Sequence, residues 1–113
     1  MYFVILPLTL KPNQRYDLIV DDGQSLQRAQ CKTGRLLKGC VAFKTASVNG
    51  FTGTRRTYRG EIDIFLVYCP DNDKIYRVPI NATGESATQL RVEPLRSGAP
   101  RSTVKWARDF ELR

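Results

Sequence analysis

Three polar side chains in the first third of the sequence have the types and spacing that phosphate chemistry uses: Asp17, Gln30 and Lys32. The Asp17 carboxylate and the Gln30 side-chain oxygen are hard ligands of the kind that Mg²⁺ or another divalent cation prefers. The Lys32 ammonium can orient an attacking water and offset the charge of a phosphate. Because a bound cation lowers the pKa of water, this set would suit hydrolysis of a phosphodiester bond, with Asp17 and Gln30 as metal ligands.

Histidine is absent from the 113 residues. Its absence excludes Ser-His-Asp triads, Cys-His dyads and histidine-ligated zinc sites. The three cysteines Cys31, Cys40 and Cys69 contain no CxxC pair and cannot complete a tetrahedral structural zinc site by themselves. Any catalysis would therefore use carboxylates, lysine and a hard cation.

A predicted β-hairpin brings the three polar residues together. Its arms are Arg15–Val20 and Ser25–Thr33, joined by a turn near Gly23. Because strand side chains alternate, Gln30 and Lys32 share one face of the second arm. The hairpin therefore places an acid, an amide and an ammonium near one another.

The position of the turn decides the register of this hairpin. A two-residue turn at Gly23-Gln24 would put Asp17 directly opposite Gln30, whereas a turn at Asp22-Gly23 would put it opposite Arg28 and diagonal to Gln30. Both registers keep Asp17 and Gln30 on one face. The same residues would be ordinary on a solvated hairpin face, so spacing alone leaves their role open.

The rest of the chain alternates apolar runs with turn residues, and its length suits one hydrophobic core. We expect a single domain over residues 1–113. The sequence predicts further strands at Tyr2–Leu8, Val41–Ala46, Ile62–Cys69, Lys74–Ile80 and Leu90–Val92, loops at Ser47–Arg59 and Pro94–Ser102, and a short helix within Thr103–Leu112. The two strands around Pro70–Asp73 should form a second hairpin.

Charge points to a nucleic-acid partner. Eighteen basic against 11 acidic residues give a net charge of +7, which favours phosphate polyanions. No apolar stretch approaches the ~18 residues of a membrane span, so no membrane partner is expected. The odd number of cysteines favours free thiols in a reducing compartment, the cytoplasm.

A basic segment around the predicted Ser47–Arg59 loop is the favoured DNA-contact region. Phe51 and Tyr58 lie within it as stacking or wedge candidates. A solvated basic loop without a partner explains the composition equally well. The basic residues concerned are Lys44, Arg55, Arg56 and Arg59.

Several ordered segments resemble the group I intron-associated PD-(D/E)XK homing endonucleases. They are Arg15–Val20, Gln30–Gly34, Tyr58–Asp63, Val67–Pro70, Tyr76–Pro79 and Lys105–Ala107. The resemblance implies an α/β fold, a restriction-endonuclease-like mixed β-sheet core with few helices. It also implies Asp17 and Gln30 as metal ligands, Lys32 as the catalytic lysine and double-stranded DNA as substrate, and it leaves a homo-oligomer open for this chain.

The chain departs from this family at its beginning. Similar proteins place a helix with a further acidic residue ahead of the first strand, whereas every acidic residue of this chain lies at or after Asp17. We therefore expect an N-terminally short domain, in which the missing carboxylate could come only from a position such as Glu61 or Asp63. Solvated acids at a turn edge are the simpler expectation for those two residues.

Three functions remain open at this point. The first is a metal-dependent endonuclease that hydrolyses double-stranded DNA. The second is a truncated, catalytically inactive DNA-binding relic of the same fold. The third is a β-rich RNA-binding or interaction module, which predicts a preference for single strands and no metal effect.

Overall fold

The fold is built almost entirely from β-strands. A computed structural model of the protein describes residues 16–48, 51–94 and 104–112, together with the backbone of residues 4–7. The strands are β1 (Val4–Pro7), β2 (Leu18–Asp21), β3 (Leu26–Thr33), β4 (Arg35–Leu37), β5 (Cys40–Lys44), β6 (Ala46–Val48), β7 (Arg55–Thr57), β8 (Ile64–Cys69), β9 (Lys74–Pro79) and β10 (Ala87–Arg91). Single 3₁₀ turns occur at Ile80–Ala82 and Ala107–Asp109. None of the helical turns in these ranges is long and apolar enough to cross a membrane.

The main sheet has five strands in the order β1-β2-β3-β8-β9. Strands β3 and β8 are parallel, and the other neighbours are antiparallel. A parallel pair needs a long crossover, and the chain between β3 and β8 supplies one by building the smaller sheets. The predicted mixed β-sheet is therefore confirmed. The predicted α/β class is not, because the described ranges contain no α-helix.

The turn between β2 and β3 is centred on Gly23-Gln24. Gly23 has a φ of 88° and Gln24 has a negative φ, as a turn with glycine in its first central position requires. The Asp22 carboxylate accepts the backbone N–H groups of Gln24 and Ser25, each at 2.9 Å. These bonds select the first of the two predicted registers, in which Leu18 pairs with Ala29.

A second sheet has the order β10-β5-β4 and packs on one face of the main sheet. Gly34 allows the chain to pass from β3 to this sheet, because a Cβ there would lie 2.7 Å from Val41 Cγ1 and 2.9 Å from Val67 Cγ1. The core between the sheets contains Val41, Phe43, Tyr58, Ile62, Phe65, Val67, Cys69, Tyr76, Val78, Leu90 and Ala107. A smaller cluster on the opposite face contains Val20, Ala29 and Ile64.

The hairpin of β8 and β9 confirms the second predicted hairpin. All six residues of each strand pair in register, from Ile64 with Pro79 to Cys69 with Lys74. The turn closes at Asp73, whose φ is 55°. Aspartate tolerates this left-handed conformation better than most residues, which explains the acidic turn sequence.

Other predicted elements differ from the structure. The segment predicted as a flexible loop, Ser47–Arg59, instead contains paired strands β6 and β7. Strand β4 was not predicted, and β10 begins at Ala87 rather than Leu90. The predicted first strand is present as β1, but the burial of its side chains and most of the Pro94–Ser102 loop lie outside the described residues.

The predicted helix within Thr103–Leu112 is wrong. Only Ala107–Asp109 forms a 3₁₀ turn, and the chain on either side runs along the sheets. The backbone N–H of Arg91 donates to the Lys105 carbonyl at 2.7 Å, and that of Leu112 donates to the Ile75 carbonyl at 2.8 Å. Backbone hydrogen bonds to the unpaired strand edges stabilise this segment more than the internal hydrogen bonds of a short helix would, because short helices are marginally stable by themselves.

Candidate active site

Strand β3 carries two of the three predicted site residues. Gln30 is paired with Phe65 and Lys32 with Val67 across the parallel ladder, so all four side chains lie on the face that packs against the second sheet. Both polar side chains are half-buried at the margin of this core. The shared face predicted for Gln30 and Lys32 is therefore present.

Lys32 is held by a buried tyrosine. Its Nζ donates to the Oη of Tyr58 at 3.0 Å and lies 4.7 Å from the centroid of the same ring. Tyr58 is only 5% exposed, and its ring packs edge-on against Phe65 with 5.5 Å between the centroids. A rigid aromatic side chain thus fixes the position of the ammonium.

Asp17 lies on a bend one residue before β2, not within a strand as predicted. Its backbone N–H donates to the Ala29 carbonyl at 2.8 Å, and its Oδ2 accepts the backbone N–H of Cys31 at 3.1 Å. These two bonds bracket Gln30, and extending the register of β2 and β3 by one residue places Asp17 opposite it. The exposed Asp17 carboxylate is thereby fixed beside the Gln30 and Lys32 strand.

Asp63, one of the two alternative carboxylates, is engaged by Arg28. Its Oδ2 accepts the backbone N–H of Arg28 at 2.7 Å, and its Oδ1 accepts the guanidinium Nη2 at 3.2 Å. The hydrogen bond from the Arg28 side chain lowers the pKa of Asp63, and burial opposes this effect only in part. Asp63 is a structural carboxylate in this arrangement.

Glu61 is also paired with an arginine. Its Oε1 accepts from Nη2 of Arg56 at 2.9 Å. Among the described residues, no group of three or more His, Cys, Asp or Glu side chains could hold a metal ion. The structure places Asp17 on backbone that adjoins the Gln30 and Lys32 strand, and no metal-binding cluster of acidic side chains surrounds these residues in the described ranges.

The comparisons with known proteins decide the family. A sequence model of the PD-(D/E)XK endonuclease family matches residues 2–113. The chain belongs to the PD-(D/E)XK endonuclease family. No curated protein sequence matches it.

The fold of this family member is similar to that of a bacterial homing endonuclease, I-Ssp6803I. The TM-score is 0.67 at 21% identity, and the alignment covers 96% of this chain and 74% of that one. At this identity the likeness shows a shared fold. Together with the family match, it confirms the predicted resemblance to homing endonucleases of the PD-(D/E)XK kind.

The basic residues predicted as DNA contacts surround the β6–β7 ribbon of this endonuclease-family chain. Arg55 pairs with Glu85 at 3.0 Å, and Nη2 of Arg59 donates to the Thr83 carbonyl at 3.1 Å. Lys44 is exposed at the end of β5, and Phe51 is fully exposed. Tyr58 is different, because its burial removes it from the stacking role considered above.

Sequence reasoning missed the pairing of Lys32 with Tyr58 and that of Arg28 with Asp63. These partners are 26 and 35 residues apart along the chain. The only sequence signal was that Tyr58 and Asp63 fall in one segment of the family resemblance, while Lys32 falls in another. That signal identifies the segments but not the contacts between them.

Proposed function

We propose that this chain is a metal-dependent endonuclease that hydrolyses phosphodiester bonds of double-stranded DNA. Membership of the PD-(D/E)XK endonuclease family gives the reaction class. The observation that carries the proposal is the placement of Asp17 and Gln30 on adjoining backbone, with Lys32 on the same face of β3.

The donor set fits one hard divalent cation such as Mg²⁺. Asp17 and Gln30 both offer oxygen atoms, which are the ligands that Mg²⁺ prefers. Asp17 is exposed and Gln30 half-buried, so a cation between them could keep several waters. When bound, such a cation would lower the pKa of a nearby water and stabilise negative charge on the phosphate.

Lys32 supplies a fixed positive charge next to these donors. The Tyr58 hydroxyl and ring hold its ammonium at one side of the site. In this position the ammonium can bind a phosphate oxygen or orient water toward the phosphorus. We therefore assign Lys32 as the catalytic lysine and Tyr58 as the residue that positions it.

One observation favours the alternative, an inactive DNA-binding relic of the same fold. Among the described residues the site offers a single carboxylate, because Asp63 is engaged by Arg28 and Glu61 pairs with Arg56. A cation held by one carboxylate and one neutral amide binds weakly. Activity would then appear only at high concentrations of the cation, or not at all.

A plasmid-nicking assay separates these functions. Supercoiled DNA is incubated with the chain over a range of Mg²⁺ concentrations, and the same is done with Lys32→Ala and Lys105→Ala. Lys105 is exposed and lies outside the site, so Lys105→Ala removes the same positive charge as Lys32→Ala without changing the site. We expect Lys32→Ala to lower the nicking rate roughly 100-fold and Lys105→Ala to leave it nearly unchanged.

The other outcomes have distinct meanings. Equal rates for the parent chain and Lys32→Ala would reject the assigned lysine. Mg²⁺-independent binding to duplex DNA without nicking by any variant would identify the relic. Stronger binding to single-stranded RNA than to duplex DNA would identify the third candidate.

A further inference from the structure

The β6–β7 ribbon extends from the core to the surface. At its root, Ala46 is 8% exposed and the adjacent Tyr58 is 5% exposed. Towards its tip, Val48 is 67% exposed and Phe51 is 102% exposed. The outer part of this ribbon therefore presents an accessible aromatic ring, a side-chain type that is enriched at binding interfaces.

Positive charge lies on both faces of this ribbon. Arg55 pairs across the ribbon with Val48, and Arg56 pairs with Ser47. Because neighbouring side chains on a strand point to opposite faces, the two guanidinium groups lie on opposite sides. Both arginine side chains are exposed, at 47% and 64%.

The acidic partners of these arginines do not prevent DNA binding. Arg55 pairs with Glu85 at 3.0 Å and Arg56 with Glu61 at 2.9 Å. Solvent-exposed ion pairs contribute little in water, and phosphate oxygens offer arginine a bidentate partner in exchange. A polyanion can therefore compete for Arg55, whose ion pair with Glu85 is exposed on both sides, while Arg56, 64% exposed beside the half-buried Glu61, can contact a phosphate through its other N–H groups.

The shape of the ribbon selects the groove. A two-stranded β-ribbon fits the major groove of B-DNA, which is about 12 Å wide, but not the minor groove, which is about 6 Å wide. Arginines on the two faces would then lie near the phosphates of the two strands. An aromatic tip is suited to apolar contact with base edges, among them the thymine methyl group that only the major groove presents.

The root of the ribbon is continuous with the candidate active site. Tyr58 directly follows β7, and its hydroxyl accepts the hydrogen bond from Lys32. DNA bound along the ribbon would therefore lie next to Lys32. The placement suits an arm that holds the duplex while the site acts on one of its strands.

We propose that the β6–β7 ribbon enters the major groove of double-stranded DNA and that Phe51 at its tip contacts the bases. The proposal deepens the proposed function and rests on its DNA substrate. It assigns duplex binding to a specific element and groove.

Binding without divalent cation tests the proposal apart from cleavage. Fluorescence anisotropy is measured with a labelled random-sequence 30-base-pair duplex, and with the same duplex whose cytosines carry glucosylated 5-hydroxymethyl groups that fill the major groove. The chain is compared with Phe51→Ala and with Leu26→Ala. Leu26 is a matched control because it is an apolar side chain 67% exposed on another hairpin.

We expect Phe51→Ala to weaken binding to the plain duplex about tenfold and Leu26→Ala to have little effect. The parent chain should bind the glucosylated duplex about tenfold more weakly than the plain duplex. Phe51→Ala should bind the two duplexes with nearly equal affinity, because its contact with the bases is already lost. Distamycin, which occupies the minor groove, should leave binding by the parent chain unchanged. Circular dichroism should show the same fold for all three proteins, because both replaced side chains are exposed.

Other results overturn the proposal. Displacement by distamycin together with indifference to glucosylation would place the protein in the minor groove. Equal duplex affinities of the parent chain and Phe51→Ala would show that Phe51 does not contact the DNA. If both proteins still nick DNA, the proposed function stands although the ribbon proposal fails. If the parent chain binds no duplex in this assay, the ribbon proposal fails, and the proposed function fails as well only if Mg²⁺-dependent nicking is also absent.

Discussion

The Nζ of Lys32 lies 3.0 Å from the Oη of Tyr58 and 4.7 Å from the centroid of its ring. Lys32 belongs to β3, and Tyr58 belongs to the turn after β7. The contact therefore joins the main sheet to the root of the β6–β7 ribbon. It also holds the ammonium against a buried aromatic ring instead of in bulk water.

Replacing Tyr58 with phenylalanine should separate positioning from folding. The change removes the acceptor of the Lys32 hydrogen bond and keeps the ring that packs against Phe65. We expect kcat for nicking to fall about tenfold with KM little changed, because misplacement of a catalytic group affects the reacting complex. Unfolding by urea should show a stability loss of only about 1 kcal/mol.

Tyr68→Phe is the matched control, since the Tyr68 hydroxyl also donates a hydrogen bond, to Asp73 at 2.9 Å, but lies outside the site. NMR order parameters of the Lys32 ε-methylene give a readout that does not depend on cleavage. They should fall in Tyr58→Phe and stay constant in Tyr68→Phe. Unchanged order parameters and kcat in Tyr58→Phe would show that the hydroxyl does not position the lysine.

Replacing Asp17 and Asp63 with asparagine should distinguish a metal ligand from a structural carboxylate. In Asp17→Asn the side-chain amide oxygen can still accept the Cys31 N–H, so the local backbone should persist while the charge is lost. We expect Asp17→Asn to abolish Mg²⁺-dependent nicking and Asp63→Asn to retain its metal dependence. Mg²⁺ titrations of the nicking rate and of the heat of binding measure both effects. Loss of the Mg²⁺ response in Asp63→Asn together with its retention in Asp17→Asn would make Asp63 the metal ligand.

Local turn chemistry was sufficient to predict the hairpin at the site. Gly23 supplies the positive φ, and Asp22 caps the turn through its carboxylate, so the sequence limited the register to two possibilities. It could not choose between them, because both keep Asp17 and Gln30 on one face. The observed hydrogen bonds of Asp17 with the backbone on either side of Gln30 follow from the register with the turn at Gly23-Gln24.

The parts that sequence did not predict depend on distant partners. The Arg28 interaction with Asp63 spans 35 residues, and it exists only because β3 and β8 are parallel neighbours. The terminal segment failed as a predicted helix because β9 and β10 offered it unpaired backbone groups. No local pattern contains that information, since the decisive partner is another strand.

The Arg28 and Asp63 pair should make stability depend on pH in the acidic range. The pKa of Asp63 is lowered in the folded state by the hydrogen bond from Arg28. A lowered pKa gives stabilisation that is present above the unfolded pKa of about 3.9 and is lost as pH falls through the folded pKa. Since both side chains are more than a third exposed, at 37% and 39%, solvent screening limits the effect to about 1 kcal/mol or less.

Urea unfolding of the parent chain and Asp63→Asn measures this effect. The stability difference between them should be largest near pH 7 and should shrink below pH of about 4. A double-mutant cycle with Arg28→Gln isolates the pair from other acidic groups. A difference that is constant from pH 7 to the acid limit would show that the charge of Asp63 contributes nothing.

Replacing Gln30 with glutamate should strengthen cation binding. Gln30 lies opposite the exposed Asp17, so a second carboxylate there would face the first and attract a divalent cation between them. We expect the apparent Mg²⁺ affinity to rise about tenfold. Without the cation, repulsion between the two carboxylates should lower the free energy of unfolding, and added Mg²⁺ should restore it.

Gln89→Glu is the matched control, because Gln89 is exposed on β10 in the second sheet and adds the same charge away from the site. Calorimetric Mg²⁺ titration and thermal unfolding with and without Mg²⁺ measure both changes. Equal Mg²⁺ responses in Gln30→Glu and Gln89→Glu would mean that the added carboxylate acts only through net charge. Such a result would place the cation away from Gln30 and leave Asp17 without its proposed co-ligand.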